Sequence, residues 1–253
     1  MPLSRLVTGA LAVAAVLAAI ASPASGATRA DVAGGEVAGI TDYPWVVALV
    51  DQAGHPFCGG TLVAPDTVVT TARCVAGRAP STVQVVGGRT DLGQVTPGDA
   101  VSGVSAVSVP AGYVAPQRGD DIATLTLTSA FGYSPLPPVT DDSAYRPGTT
   151  GTVLGWGALG NRPDDTTTVL HEARVPVLAD ADCAALYARY VGGGYDRHAM
   201  FCAGATGTGA GPCAGDTGDP LLVDGRLAGI VSWTIGCGTH PAFFTRVGSY
   251  PLG

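Results

Sequence analysis

The feature that most constrains this chain is the length of its apolar runs. After about Gly35 the hydrophobic residues come in short stretches, each broken by Gly, Pro, Asp or Ser. Residues 45–50, 67–71, 83–86, 123–127, 153–154, 175–178, 221–223 and 227–231 read as strands or strand cores. Short runs rich in β-branched residues, bounded by turn formers, suit buried pleated ribbons. Turn signals recur between them, at Gly87-Gly88, Pro97-Gly98, Pro147-Gly148 and Asp224-Gly225. Helical spacing is scarce, and residues 179–190 are the best candidate for a helix. Many short strands without alternating helices predict an all-β sandwich or barrel, not a parallel sheet with crossover helices. A stretch rich in Pro, Gly and Thr at 143–150 divides the chain into halves of similar size.

The first residues are of another kind. Residues 1–5 carry one positive charge, residues 11–21 (LAVAAVLAAIA) are wholly apolar, and residues 22–27 (SPASGA) are small. This is the layout of a secretory signal peptide over residues 1–27, cut after Gly26 or Ala27. The apolar run is shorter than the ~20 residues of a membrane-spanning helix. A secreted, extracellular mature chain over 28–253 is therefore expected, with no membrane contact after cleavage. All six cysteines follow the leader, and an even count in a secreted chain reads as disulfides. No pair has C-x₂-C spacing and the four histidines are scattered, so neither a metal nor another cofactor is expected. The net charge of −7 argues against a nucleic acid or an acidic membrane surface as partner.

Seven stretches then occur in a telling order: CGGTLVAPDTVVTTARC (58–74), DDIATLTL (120–127), TVLGWG (152–157), MFCAG (200–204), CAGDTGDP (213–220), IVSWTIGC (230–237) and PAFFTRV (241–247). Together they resemble the motif series of trypsin-like serine peptidases, from about Val32 to Val247. The resemblance implies two antiparallel Greek-key β-barrels with a cleft between them. The first barrel would span about 32–145 and the second about 146–253. It also implies the disulfides Cys58–Cys74, Cys183–Cys202 and Cys213–Cys237, which uses every cysteine.

Acyl transfer in such proteins needs a nucleophilic serine, a histidine base and an aspartate that orients the base. By resemblance Asp121 matches the aspartate. Arg73 stands where the histidine is expected, and arginine does not give up its proton in proteins. A guanidinium–carboxylate ion pair between Arg73 and Asp121 is expected in place of the histidine–aspartate bond. Thr217 matches the serine, and its extra methyl restricts χ1 and crowds the attacking position. The oxyanion hole would use the backbone N–H groups of Gly215 and Thr217, which side-chain changes need not disturb. None of His55, His171, His198 and His240 falls in a matching motif.

Further departures surround these positions. Asp219 replaces a glycine of the family loop and puts a second carboxyl near Asp216. In the family the residue matching Asp216 pairs with a new N-terminal amine, and the matching residue here is Val32. Asp31 precedes Val32 where a basic residue is usual. A zymogen-like state with Asp216 paired otherwise is expected. The specificity pocket would have Gly211 at its base and Thr234 and Ala242 on its walls, so it should be narrow and uncharged. Ser232 and Trp233 of the substrate-binding strand remain. The family's C-terminal helix is missing after SYPLG, which would leave an apolar patch uncovered. The expectation is a catalytically degenerate homologue that holds a peptide or protein in the inter-barrel cleft. The alternatives are an active endopeptidase working through Thr217, and a decaying, truncated gene product.

Overall fold

The computed structural model describes Met1 and residues 35–252 apart from 163 and 208. The leader and Val32 lie outside the described residues. The fold is mostly strand: β1 (Glu36–Val37), β2 (Val46–Val50), β3 (Pro56–Ala64), β4 (Thr67–Thr70), β5 (Gln84–Gly87), β6 (Ala100–Ser108), β7 (Ala123–Leu127), β8 (Thr150–Gly155), β9 (His171–Pro176), β10 (Met200–Ala203), β11 (Pro220–Val223), β12 (Arg226–Trp233) and β13 (Ala242–Arg246). Two α-helices accompany them, α1 (Ala72–Val75) and α2 (Asp180–Tyr190). All eight apolar runs fall on strands. The helix expected at 179–190 is α2.

The first half closes into a six-stranded barrel in the order β2-β3-β4-β7-β6-β5, with β5 pairing back onto β2. The second half forms a seven-stranded sheet in the order β1-β9-β8-β11-β12-β13-β10. An antiparallel bridge between Val177 and Ala203 brings β10 back beside the end of β9. Flanking bonds reinforce it, from the Leu178 N–H to the Cys202 carbonyl and from the Gly204 N–H to the Pro176 carbonyl. Closure removes exposed strand edges, which would otherwise invite pairing with other chains. The architecture is the expected all-β, two-barrel one.

One boundary differs from the expected 32–145 and 146–253. The N-terminal strand β1 pairs with β9, so residues 36–37 belong to the second sheet and not to the first barrel. At the other end Tyr250 and Leu252 pack against the first barrel's core. The Tyr250 hydroxyl also bonds to Asp120 at 2.9 Å. Each end of the described chain thus laps onto the opposite half and ties the two together. Strands β3 and β6 were not legible as apolar runs. Glycines and a cysteine interrupt the first (PFCGGTLVA), and small polar residues interrupt the second (AVSGVSAVS), half of which faces solvent.

Burial explains the rest. One cluster fills the first barrel with Val46, Leu49, Leu62, Val69, Val85 and Leu125, and continues to Leu154 and Ile230 of the second. A separate aromatic cluster under α2 holds Tyr187, Trp233 and Phe243. The Trp233 and Phe243 rings stack at 4.0 Å between centroids, tilted by 5°. The three disulfides pair as expected, across sequence separations of 16, 19 and 24 residues. Each is worth about 3 kcal/mol in loop-closure entropy.

Because Phe243 is fully buried against Trp233 and Tyr187, Phe243→Ala should cost about 3–5 kcal/mol of stability. Urea denaturation measures it, and a loss below about 1 kcal/mol would contradict this packing.

Candidate functional site

The site lies where the turn over 213–219 meets both barrels. The Gly59 N–H on β3 donates to the Thr217 carbonyl at 2.8 Å, and the Ala158 N–H donates to the Ala214 carbonyl at 2.7 Å. A trans peptide points its C=O and N–H in opposite directions. Holding the Ala214 carbonyl therefore turns the Gly215 N–H the other way, away from Ala158. Gly215 has φ 104°, and a Cβ there would meet the Gly157 Cα at 2.9 Å. Gly218 has φ 90°, and a Cβ would meet the Gly59 carbonyl oxygen at 2.3 Å. Only glycine fits both requirements of positive φ and close backbone approach. Among the described residues the N–H groups of Gly215 and Thr217 and the Thr217 hydroxyl make no hydrogen bond of their own.

Arg73 comes from the short helix α1. Ala72, Cys74 and Val75 are buried, and Cys74 is bonded to Cys58 of β3, so Arg73 is the outward residue of the turn. Asp121 comes from the entrance to β7. Asp120 before it adopts φ 54°, a left-handed conformation that aspartate tolerates, and the chain turns sharply inward there. Asp121 is buried. Its Oδ1 accepts the Arg73 backbone N–H at 2.8 Å and its Oδ2 accepts the Ser232 hydroxyl at 2.6 Å. Burial pushes its carboxyl up from the ordinary value, opposed by the Ser232 hydroxyl and by Arg73.

The expected Arg73–Asp121 ion pair is not formed. The guanidinium Nη1 instead donates to the Ser232 carbonyl at 3.1 Å, across the cleft on β12. The reason is reach. Asp121 is buried beneath the Arg73 backbone and accepts that backbone N–H, while Arg73 is the outward residue of its turn. The long arginine side chain overshoots that carboxyl and arrives at the opposite barrel. Ser232 and Trp233 are both buried, and Trp233 packs into the aromatic cluster under α2. Ala242 is buried and Thr234 half-buried, and a Cβ on Gly211 would meet the Gly238 Cα at 4.0 Å.

Two residues of this region escaped the sequence reading. Arg78 donates from Nε to the Cys74 carbonyl at 2.9 Å and lies over the Phe57 ring at 4.4 Å. With Arg73, Cys58, Cys74 and Thr217 they line a pocket of about 210 Å³. No motif marks them; only their closeness in sequence to Arg73 and Cys58 hinted at the site. The histidines lie elsewhere. His55 faces Asp51 in an exposed turn, His171 bonds to the Val169 carbonyl, His198 is exposed, and His240 bonds to the Tyr190 hydroxyl. None of them lines the pocket that holds Thr217.

Beneath the turn sit two buried carboxyls. Asp216 accepts the Gly157 N–H at 2.6 Å and the Cys213 N–H at 2.8 Å. Asp219 lies against it: a Cβ on Gly155 would meet Asp216 Oδ1 at 2.1 Å and Asp219 Oδ2 at 2.6 Å. Asp219 Oδ1 is buried without a hydrogen-bond partner. Two adjacent buried carboxyls cannot both ionise, so they share a proton. Burial pushes Asp216 up to about 7, and burial together with the Asp216 charge pushes Asp219 well above the usual range. Val32, the residue that matches the family's amine partner of Asp216, lies outside the described residues, so the expected absence of that pairing is not tested.

This geometry agrees with the relationships of the chain. The family described as Trypsin matches residues 32–251. A protein named trypsin from Saccharopolyspora erythraea is 39% identical over 224 residues, covering 87% of this chain and 94% of that protein. Trypsin alpha of Drosophila melanogaster is 32% identical over 220 residues, covering 85% of this chain and 83% of that protein. The chain belongs to the trypsin family.

The carboxyl pair makes a pH prediction. Both folded pKa values exceed the ~3.9 of an unfolded aspartate. The pair's contribution is therefore fully present below about pH 4 and is lost as the pH rises through about 7. Asp219→Asn removes the second charge and keeps the shape. The variant should gain at least about 1 kcal/mol at pH 8 relative to its difference at pH 5, since a buried carboxylate lacking partners is costly. Thermal melts of both proteins across this range check it; parallel melting curves would refute the shared proton.

Proposed function

We propose that this chain is a secreted trypsin-family homologue that does not hydrolyse peptides and uses its inter-barrel cleft to hold one. The observation that carries the reading is the Arg73 side chain. It lies beside the buried Asp121, where resemblance places the general base, and it donates to the Ser232 carbonyl. A general base must accept a proton near the working pH, and a guanidinium cannot. Thr217 could serve as a nucleophile only with a base to activate it. The positions of the four histidines offer none. The leader-like residues 1–27 and the three disulfides support secretion.

The backbone frame of the turn supports binding over loss of fold. Gly215 and Thr217 keep N–H groups free of internal partners, which suits a carbonyl or carboxylate oxygen. The Arg73–Ser232 bond crosses the cleft, so any peptide laid against β12 must displace it.

The test is hydrolysis of peptide esters by the mature protein. Wild type should stay at background, and Arg73→His/Thr217→Ser should exceed it at least tenfold, with Asp219→Gly added if the turn resists. Wild-type turnover that disappears in Thr217→Ala would overturn the reading in favour of an active threonine enzyme.

A further inference from the structure

The pocket that holds Thr217 sets two arginines and a hydroxyl among Phe57 and the Cys58–Cys74 disulfide. Arg73 and Arg78 both line it, and among the described residues neither has a carboxylate within ion-pair distance. Each spends one donor on a neutral backbone carbonyl, Ser232 for Arg73 and Cys74 for Arg78. A guanidinium carries five donors, so most remain unspent. Phe57 supports the Arg78 plane from below at 4.4 Å, which fixes its orientation. Asp121 makes no ion pair with either guanidinium: it is buried, and it accepts the Arg73 backbone N–H and the Ser232 hydroxyl. The hydroxyl and the N–H of Thr217 add two more unspent donors. This concentration of positive charge stands out in a chain whose net charge is −7.

We propose that this pocket binds a carboxylate, and that its ligand is the free C-terminal carboxylate of a peptide lying in the cleft. The proposal rests on the reading that the cleft does not hydrolyse. One carboxylate oxygen would take the Thr217 N–H and hydroxyl. The other would face the Arg73 guanidinium, drawing it from the Ser232 carbonyl, because a carboxylate is the stronger acceptor. Arg78 adds charge from the rim. An internal peptide bond offers a single neutral carbonyl and leaves the guanidinium unpaired, so the arrangement discriminates ends from mid-chain segments. Gly211, Thr234 and Ala242 carry no charge, which suits a small, uncharged final side chain.

Calorimetric titration of the mature protein decides it, with three probes: acetyl-trialanine acid, its C-terminal amide, and acetate. The acid should bind at least tenfold more tightly than the amide. Arg73→Gln and, separately, Arg78→Gln should each reduce that acid-to-amide preference at least threefold in protein shown by its melting transition to be folded. Acetate binding far more weakly than the acid assigns the site to peptide ends. Acetate matching the acid keeps the carboxylate site and assigns it to small free acids. Equal binding of acid and amide, or binding of neither to folded protein, overturns the proposal. An ester assay on the same preparation keeps the two readings apart: wild-type turnover sinks the non-hydrolytic reading alone, while the acid-to-amide ratio still decides this one.

Discussion

Two backbone hydrogen bonds hold the site together, and everything functional depends on them. Gly59 of the first barrel grips the Thr217 carbonyl, and Ala158 of the second half grips the Ala214 carbonyl. The turn over 213–219 is thereby stretched between the two halves of the molecule. That suspension turns the Gly215 N–H away from Ala158 and fixes where the Thr217 hydroxyl stands. It also forces Gly215 and Gly218 into positive φ at points of close backbone contact. The side chains around the turn can change without moving it, because the hold is between main-chain atoms.

Charges of opposite sign flank this turn. Beside Thr217 stands the Arg73 guanidinium. Behind the turn, Asp216 and Asp219 form a buried pair sharing a proton. Low effective dielectric makes each matter, since a buried charge without a partner is costly. The pair meets that cost by keeping a proton. The arginines meet it by staying near solvent and spending donors on carbonyls.

The barrels supply what the turn needs. Closure of the first through β5–β2 and of the second through Val177–Ala203 gives two stiff bodies. The exchange of ends, with β1 on the second sheet and Tyr250 on the first barrel, resists their separation. A cleft between such bodies keeps its shape, and the Arg73–Ser232 bond adds a polar latch across it.

Much of this was legible in the amino-acid order. Short apolar runs between turn residues favour an all-β chain, because they are too short for most helices and are bounded by turn formers. The motif order located Asp121, Thr217, Gly215 and Arg73, and the cysteine count matched three closed pairs. Strands β3 and β6 stayed hidden because glycine and small polar residues dilute their apolar pattern. Where the Arg73 side chain goes was not legible at all. Its identity permits an ion pair with Asp121, and a sequence carries no record of reach. Only the tertiary structure decided that the carboxylate lies buried beneath the Arg73 backbone while the guanidinium crosses the cleft. The same holds for Arg78 and Phe57, which enter the site because packing brings them there. Residue types set which charges exist; the distances between them, set by long-range packing, decided which of those charges meet.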